Sequence, residues 1–413
     1  MKLLNIEVTS RGDVFHGRYD IFRQQGVEVY YLTSSDDATS YSNFAGKRVA
    51  SSKSINVLLD EALDWHKREK FDAVITTDEA SVVATALVAQ GLGLESVSVD
   101  AAKNSRNKYL MRLAHQRSGA PHPSFRLCYS IEQALIAGEE IGYPVIIKPT
   151  LGGNAEHVHL IRSQEAMREQ FAVVWDAYRN HSYSHHEADG LELGPDALLV
   201  EGFLSGSEHC IEAWIHNGAV HIGSIADRIS AELEVFDNDL YRTPSALSVA
   251  DLDKLRAALE AGVRAQGIDN GVVHAEFRFH EGEVYILEIA ARIGGGSLYK
   301  MAQLSYNYCP VAAACCVAIR KTVEINTSAK TGRVAVGLTM LCQQGRISHI
   351  HIPDAVRSHP AVFNLAVIAR EGDFHYRPPF GNDIFGYIGV SGASQEIAIN
   401  LASDLFSKIS VTF

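Results

Sequence analysis

Residues 271 to 296 read GVVHAEFRFHEGEVYILEIAARIGGG, and they carry the densest chemistry in the chain. VVHAEFRF and EVYILEIA alternate apolar and polar residues about the turn HEGE, so an antiparallel hairpin is expected with one carboxylate on each arm. With a period of two, Glu276 shares a face with His274 and Arg278, and Glu288 shares one with Ile286 and Ala290. Pairing across the turn brings Glu276 and Glu288 together. Adjacent carboxylates repel unless a cation or proton is shared, and two hard oxygens plus phosphate oxygens are how Mg2+ is held in phosphoryl-transfer sites. An exposed face on which Glu276 pairs with Arg278 is the competing reading. The sequel AARIGGGS favours the Mg-nucleotide reading: Arg292 follows the second carboxylate, and Gly294, Gly295 and Gly296 let a backbone approach an anion closely.

Two further segments carry weaker signals. In YPVIIKPTLGGN an apolar strand delivers Lys148 just before a glycine-containing turn, so an ammonium and backbone N–H groups can both face phosphate. The Gly-Lys-Ser/Thr order of a P-loop is missing, and on local grounds a structural salt bridge is the commoner explanation for such a lysine as Lys148. In LLVEGFLSGSEHCIEAWI a strand ends near Glu201, Gly202 to Leu204 form a short crossing, and Glu208 opens the next strand. Exposed backbone in such a crossing suits an adenine edge, and a following carboxylate suits ribose hydroxyls.

The elements that must position these residues follow an α/β pattern. LLNIEV, a helix near Tyr19 to Gln25, VEVYYL, a helix near Asn56 to Lys70 and DAVITT give βαβ order and a small parallel sheet. Its first turn, TSRGD, lacks the glycines of a dinucleotide site. TTDEASVVATALVAQGLGL reads as a strand end feeding an amphipathic helix that stops at Gly91 or Gly93. Asp78 and Glu79 then either face a ligand or only favour the helix N-terminus. From Cys128 to Gly202 a compact α/β piece is expected, interrupted by a polar loop whose His181, His185 and His186 receive no role. After a strand-rich middle come a helix near Leu252 to Gln266, the hairpin, a glycine-rich turn and a helix containing PVAAACCVAIR; the tail from Gly332 to Phe413 reads as mostly short strands and turns.

Taken in order and spacing, these segments resemble the ATP-grasp superfamily. NKYLMRLAHQRSGAPHP resembles the stretch in which a lysine precedes a helix and a proline-containing turn, VIIKPT the lid strand, LLVEGFLSGSE the hinge strand, and HAEFRF with LEIAARIGGG the metal hairpin. The resemblance implies an α/β (α+β) ATP-grasp fold with a Rossmann-like parallel-sheet domain at 1–100, a linker helix region at 101–127, a mobile lid at 128–202, a catalytic subdomain at 203–325 and a C-terminal mixed-sheet subdomain at 326–413. It assigns ATP to Lys108, Lys148, Gly153, Asn154, Glu201, Gly202, Phe203, Leu204, Glu208 and Leu287. Mg2+, one ion or two with Mn2+ as a substitute, falls to Glu276 and Glu288. Catalysis falls to Arg292 and Lys148, and substrate contacts to His274, Arg278, Gly294, Gly295 and Glu79. Most ATP-grasp hairpins carry an asparagine where this chain has Ala290; that departure, with Arg292 following, looks like the bacterial L-amino-acid ligases, which make dipeptides and peptide antibiotics. The implied reaction activates a carboxylic acid as an acyl phosphate and joins it to the amine of an amino acid, with release of ADP and phosphate. A carboxylating enzyme using bicarbonate or a purine intermediate, and a non-catalytic ATP-binding regulator, are the alternatives.

Composition agrees with small-molecule partners. The 413 residues are 46% hydrophobic and 21% charged, which fits several packed units. A net charge of −12, from 37 basic and 49 acidic residues, disfavours a hold on nucleic acid or anionic lipid. The six cysteines form no Cys-x-x-Cys pair and read as reduced packing residues of a cytoplasmic protein. No signal peptide or membrane span is read, and homodimerisation is a family expectation.

Overall fold

The computed structural model describes all residues except 9–15, 35–40, 154, 182–191, 231–238, 324–330 and 378–382. Asn154, the TSRGD turn, His185 and His186 lie wholly or largely outside the described residues. The chain starts as a parallel sheet: β1 (Lys2–Ile6), α1 (His16–Gln24), β2 (Glu28–Thr33), β3 (Gly46–Val49), α2 (Ile55–Glu69) and β4 (Ala73–Ile75) give the strand order β3-β2-β1-β4. β3 escapes sequence reading because GKRV is too short and polar to signal a strand. A 3-10 turn, Glu79–Ser81, is capped by the Asp78 side chain and runs into α3 (Val82–Leu92), which Gly93 closes at φ 67°. This helix was expected to be amphipathic, but it is buried nearly all round, from Val82 to Ala89, because it packs on both α2 and the following helix.

α4 (Val99–Arg106) and α5 (Lys108–Ser118) meet at Asn107, whose side chain accepts from the backbone N–H groups of Tyr109 and Leu110 at 3.0 and 3.1 Å. That cap sets Lys108 at the first helical position. A four-stranded antiparallel sheet follows in the order β5-β8-β6-β7, from β5 (Phe125–Cys128), α6 (Ile131–Ile141), β6 (Val145–Pro149), β7 (His159–Ile161), α7 (Gln164–His181) and β8 (Leu198–Gly202).

The rest of the chain is built on β9 (Glu208–His216), β10 (Ala219–Ser230), β11 (Asp239–Thr243), α8 (Val249–Gln266), β12 (Gly271–His280), β13 (Glu283–Ala290), α9 (Leu298–Tyr306), α10 (Pro310–Ala318) and β14 (Val334–Met340). Short pieces β15 (Gly345–Arg346), β16 (His349–His351) and α11 (Asp354–Arg357) precede β17 (Val362–Val367), β18 (Phe374–His375), β19 (Gly386–Gly392), α12 (Gln395–Ser407) and β20 (Ser410–Thr412). One eight-stranded sheet, β13-β12-β9-β10-β11-β14-β19-β17, runs through both sides of residues 325 and 326. Every pairing in it is antiparallel, where a mixed sheet was expected. The tail also contains a 13-residue helix that was read as strands and turns: α12 buries Ala398, Ala402 and Leu405 against β14 and β19.

α8 supports the hairpin from below. Ser248 caps its start, Gly267 at φ 78° ends it, and Leu255, Leu259 and Val263 face the core beside Phe277, Ile286 and Ile289. Full burial of each such side chain contributes roughly 1.5–3 kcal/mol. Gly262 lets the helix approach closely: a Cβ would lie 2.5 Å from Ile289 Cδ1 and 2.7 Å from Ile286 Cδ1, so both side chains would have to shift.

Candidate active site

The β12–β13 hairpin closes through Glu281 and Gly282, both at positive φ (52° and 84°), the backbone of a two-residue type I′ turn. Glu276 and Glu288 are direct partners across it. Strict alternation was expected on both arms, but β13 carries a bulge at Leu287, so Phe277 faces Ile286 while Glu276 faces Glu288. The bulge reverses one assignment: Ile286 is fully buried in the core and does not share the face of Glu288. It also turns the Leu287 carbonyl to Arg112, whose Nη2 donates at 2.7 Å.

The row extends onto β9, where Cys210 is the register partner of Glu276. Cys210, read as a packing residue, brings its thiol within 4.8 Å of His274 and Glu276 ligand atoms. The next row pairs Ala290, His274 and Glu212. His274 Nδ1 lies 2.6 Å from Glu212 Oε1 and its Nε2 lies 3.4 Å from Glu276 Oε1. Burial alone would lower the imidazole pKa, but the two carboxylates outweigh it and hold it at about 9. For Glu276 burial would raise the pKa, and His274, Arg228 and Lys108 instead keep it well below the usual carboxylate range.

Lys108 reaches the hairpin from the start of α5. Its Nζ is 3.0 Å from Glu288 Oε2 and donates to the Gly152 carbonyl at 3.1 Å, and its backbone N–H bonds Thr150 O at 2.8 Å. Lys148 on β6 meets Glu201 on β8 at 2.5 Å, and Arg112 Nε meets the other Glu201 oxygen at 2.6 Å. Burial opposes ionisation of Glu201, yet the two cations bring its pKa to about 2, while burial lowers that of Lys148. The Glu201 side chain is therefore spoken for, and only its backbone is left to a nucleotide. Both oxygens of Glu208 are engaged too, one by Arg228 Nη1 at 2.5 Å and one by Arg278 Nη2. Arg278 Nη1 also donates to Leu204 O at 3.0 Å, tying the hinge crossing to β12.

Arg292 Nε donates to Glu79 Oε2 at 2.5 Å, and Arg106 approaches the other oxygen at 3.7 Å. Burial would raise the Glu79 pKa; Arg292, Arg106 and Lys108 hold it low instead. Glu79 thus links the end of the parallel sheet to the glycine turn, besides starting a helical turn. Gly294 N–H donates to Glu212 Oε2 at 2.9 Å. A Cβ at Gly294 would collide with Glu212 and lie 2.9 Å from His274 Nδ1, whereas one at Gly295 would meet nothing within 4 Å. A single cavity of about 370 Å³ gathers Lys108, Lys148, Gly153, Glu201 to Leu204, Glu208, His274, Glu276, Arg278, Leu287, Glu288, Arg292, Gly295 and Glu79. Among the expected residues Gly294 is not in its wall, and Asn154 lies outside the described residues.

A model described as ATP-grasp domain matches residues 141–300, and one described as L-amino acid ligase C-terminal domain 2 matches residues 338–413. Residues 141–300 are thus an ATP-grasp domain. An L-arginine-specific L-amino acid ligase of Bacillus subtilis is 23% identical over 358 residues, 84% of this chain and 82% of that protein. An alanine–anticapsin ligase of Bacillus subtilis is 28% identical over 252 residues, which is 55% of this chain and about half of that protein, 49%. In fold the chain is similar to the crystal structure of an L-amino acid ligase from Bacillus licheniformis, with a TM-score of 0.82 and 20% identity, covering 100% of this chain and 98% of that one.

ATP-grasp enzymes use ATP and a divalent metal, and the hairpin fits that use. Glu276 and Glu288 offer paired hard oxygens, and Lys108 beside Glu288 is a cation that can hold a carboxylate or a phosphate. Ala290 contributes only a methyl group to its row beside His274. Sequence reading missed Arg112, Arg228, Glu212, Arg106 and the position of Cys210 beside Glu276. Their partners are distant in sequence: Arg112 and Glu201 are 89 residues apart, Glu212 and Gly294 82. Only the pattern of β9, with Glu208, His209 and Glu212 set among apolar residues in one strand, gave a hint. No described helix is long and apolar enough to cross a membrane.

Proposed function

We propose that the chain joins a carboxylic acid, an amino acid or N-acyl amino acid, to the amine of an amino acid through an acyl phosphate, releasing ADP and phosphate. The observation that carries this reading is the register pairing of Glu276 with Glu288 in a cavity that also holds Lys108, Lys148 and Arg292. Glu276 and Glu288 would hold Mg2+, one or two ions with Mn2+ as a substitute. When bound, the metal supplies charge neutralisation for the phosphate oxygens. Lys108 and Lys148 would meet the phosphates, and the backbone from Glu201 to Leu204, with Leu287, the adenine; that all of them line one cavity supports this reading.

Arg292 is the group suited to the reacting carboxylate. Its guanidinium is held by Glu79 through one nitrogen and by the Ile293 carbonyl through another, at 2.5 and 2.8 Å, so its plane is fixed before substrate arrives. Attack by the amine on the acyl phosphate forms the C–N bond, expels phosphate and releases a proton from nitrogen. Orientation by Arg292 and exclusion of water by the cavity walls favour the amine over hydrolysis. A cytoplasmic location and a homodimer accompany the proposal. With Mg-ATP and pairs of amino acids, phosphate and ADP should appear only when acid and amine are both present. AMP as product, or dependence on bicarbonate, would overturn the reading.

A further inference from the structure

On the flank of β12 away from Glu288, a thiol, an imidazole and a carboxylate converge. We propose that Cys210, His274 and Glu276 form a site for a thiophilic divalent cation of the Zn2+ class, and that an ion held there withholds Glu276 from Mg2+. The site stands apart from the ligase reading, whereas its effect on turnover rests on that reading.

Three observations carry it. First, β12 runs between β13 and β9, so Glu276 has Glu288 across from it on one side and Cys210 on the other, with His274 two residues along the same face. One ligand atom from each of Cys210, His274 and Glu276 lies within 4.8 Å of the other two, and His274 Nε2 is 3.4 Å from Glu276 Oε1. Four-coordinate zinc, with bonds of about 2.0–2.3 Å, spaces its ligand atoms about 3.3–3.8 Å apart, so closing on an ion asks for shifts of about 1 Å or less. Second, His274 is already oriented for the task. Its Nδ1 lies 2.6 Å from Glu212 Oε1, and the other Glu212 oxygen is held by the Gly294 N–H at 2.9 Å. A carboxylate behind a ligating imidazole fixes the ring and its tautomer, and here it directs Nε2 toward Glu276. Third, the donors differ in kind from the Glu276–Glu288 pair. A thiolate and an imidazole nitrogen select ions of the Zn2+ class, whereas Mg2+ takes hard oxygens and keeps water.

His274 and Glu276 line the cavity, which gives an ion a way in and leaves a fourth position for water. Arg228 lies 3.8 Å from Glu276 Oε1 and opposes a cation, but its Nη1 is bonded to Glu208 at 2.5 Å, which offsets that charge. On binding, a sulfur–metal bond replaces the S–H bond and the thiol proton leaves to solvent; a proton held on His274 Nε2 leaves as well. Glu276 cannot serve both ions at once.

The test titrates the full, metal-free chain with Co2+, a spectroscopic substitute for Zn2+. A near-ultraviolet sulfur-to-cobalt charge-transfer band should grow to one ion per chain, and added Zn2+ should erase it. Cys210→Ser should abolish the band with an unchanged circular-dichroism melting curve, whereas Cys342→Ser, outside the cluster, should keep it. Glu212→Gln should weaken Co2+ binding at least about tenfold, as loss of an orienting carboxylate does. Zn2+ added to the Mg-ATP reaction should inhibit acid- and amine-dependent phosphate release, and the half-inhibiting concentration should rise at least about tenfold in Cys210→Ser. Absence of the band, its survival in Cys210→Ser, or equal Zn2+ inhibition of the two proteins overturns the proposal. A band that depends on Cys210, in a chain that releases no phosphate with any pair of acid and amine, keeps the site and removes the ligase reading.

Discussion

Glu276 and Glu288 face each other in antiparallel register, and each carboxylate is met by cations of the chain: Lys108 at 3.0 Å from Glu288, His274 at 3.4 Å and Arg228 at 3.8 Å from Glu276. Those cations offset the repulsion between two like charges held side by side. The pair is prepared for a cation while the hairpin itself stays folded.

Glu288→Gln keeps the shape of the hairpin and removes one charge. Turnover should fall by at least about 100-fold, with a circular-dichroism melting curve close to that of the parent. Near-normal phosphate release from this variant would count against the proposed metal role.

Glu201 should govern acid stability more than chemistry. Its folded pKa, about 2, lies below the ordinary 4.5, so its contribution is present above pH 4.5 and disappears as pH falls through about 2. Glu201→Ala strands Arg112 and Lys148 as buried cations and should cost about 3–5 kcal/mol in urea unfolding. A loss well under 1 kcal/mol would show that the pair is not sustaining the fold.

His274 behaves oppositely. Its pKa is raised from 6.5 to about 9, so the stability of the Glu212–His274–Glu276 chain is complete below pH 6.5 and is lost as pH climbs through 9. The gap in Tm between the parent and His274→Asn should narrow across that window. A gap independent of pH would mean the imidazole is neutral in the folded protein.

Gly294 and Gly295 should respond differently to one added methyl. Gly294→Ala drives a Cβ into Glu212 and should destabilise by about 1–3 kcal/mol, whereas Gly295→Ala meets open space and should melt like the parent. Equal melting temperatures for the two variants would contradict the packing of the turn on β9.

Much of the site was legible because its signals are local. Period-two alternation, the HEGE turn and the order of Lys148, Glu201, Glu208, Glu276, Glu288 and Arg292 are properties of short windows, and the structure brings those residues to one cavity. The misreadings have physical causes. A bulge at Leu287 cannot be seen in an alternating string, so Ile286 was placed on the wrong face. α12 was missed because its buried stripe of Ala398, Ala402 and Leu405 is made mostly of small residues. α9 was missed because LYKMAQLSY follows a glycine run that masks its start.

The sequence by itself determined the parallel opening sheet, the hairpin with its paired carboxylates and the ATP-grasp resemblance, since each depends on residue type and spacing within a few turns of chain. Tertiary structure alone decided which charges neutralise which. Glu201 went to Arg112 and Lys148, Glu208 to Arg228 and Arg278, and Glu212 to His274 and Gly294. Those choices arise from burial, which makes an unpaired charge costly and forces partners together across long sequence separations that no local pattern records.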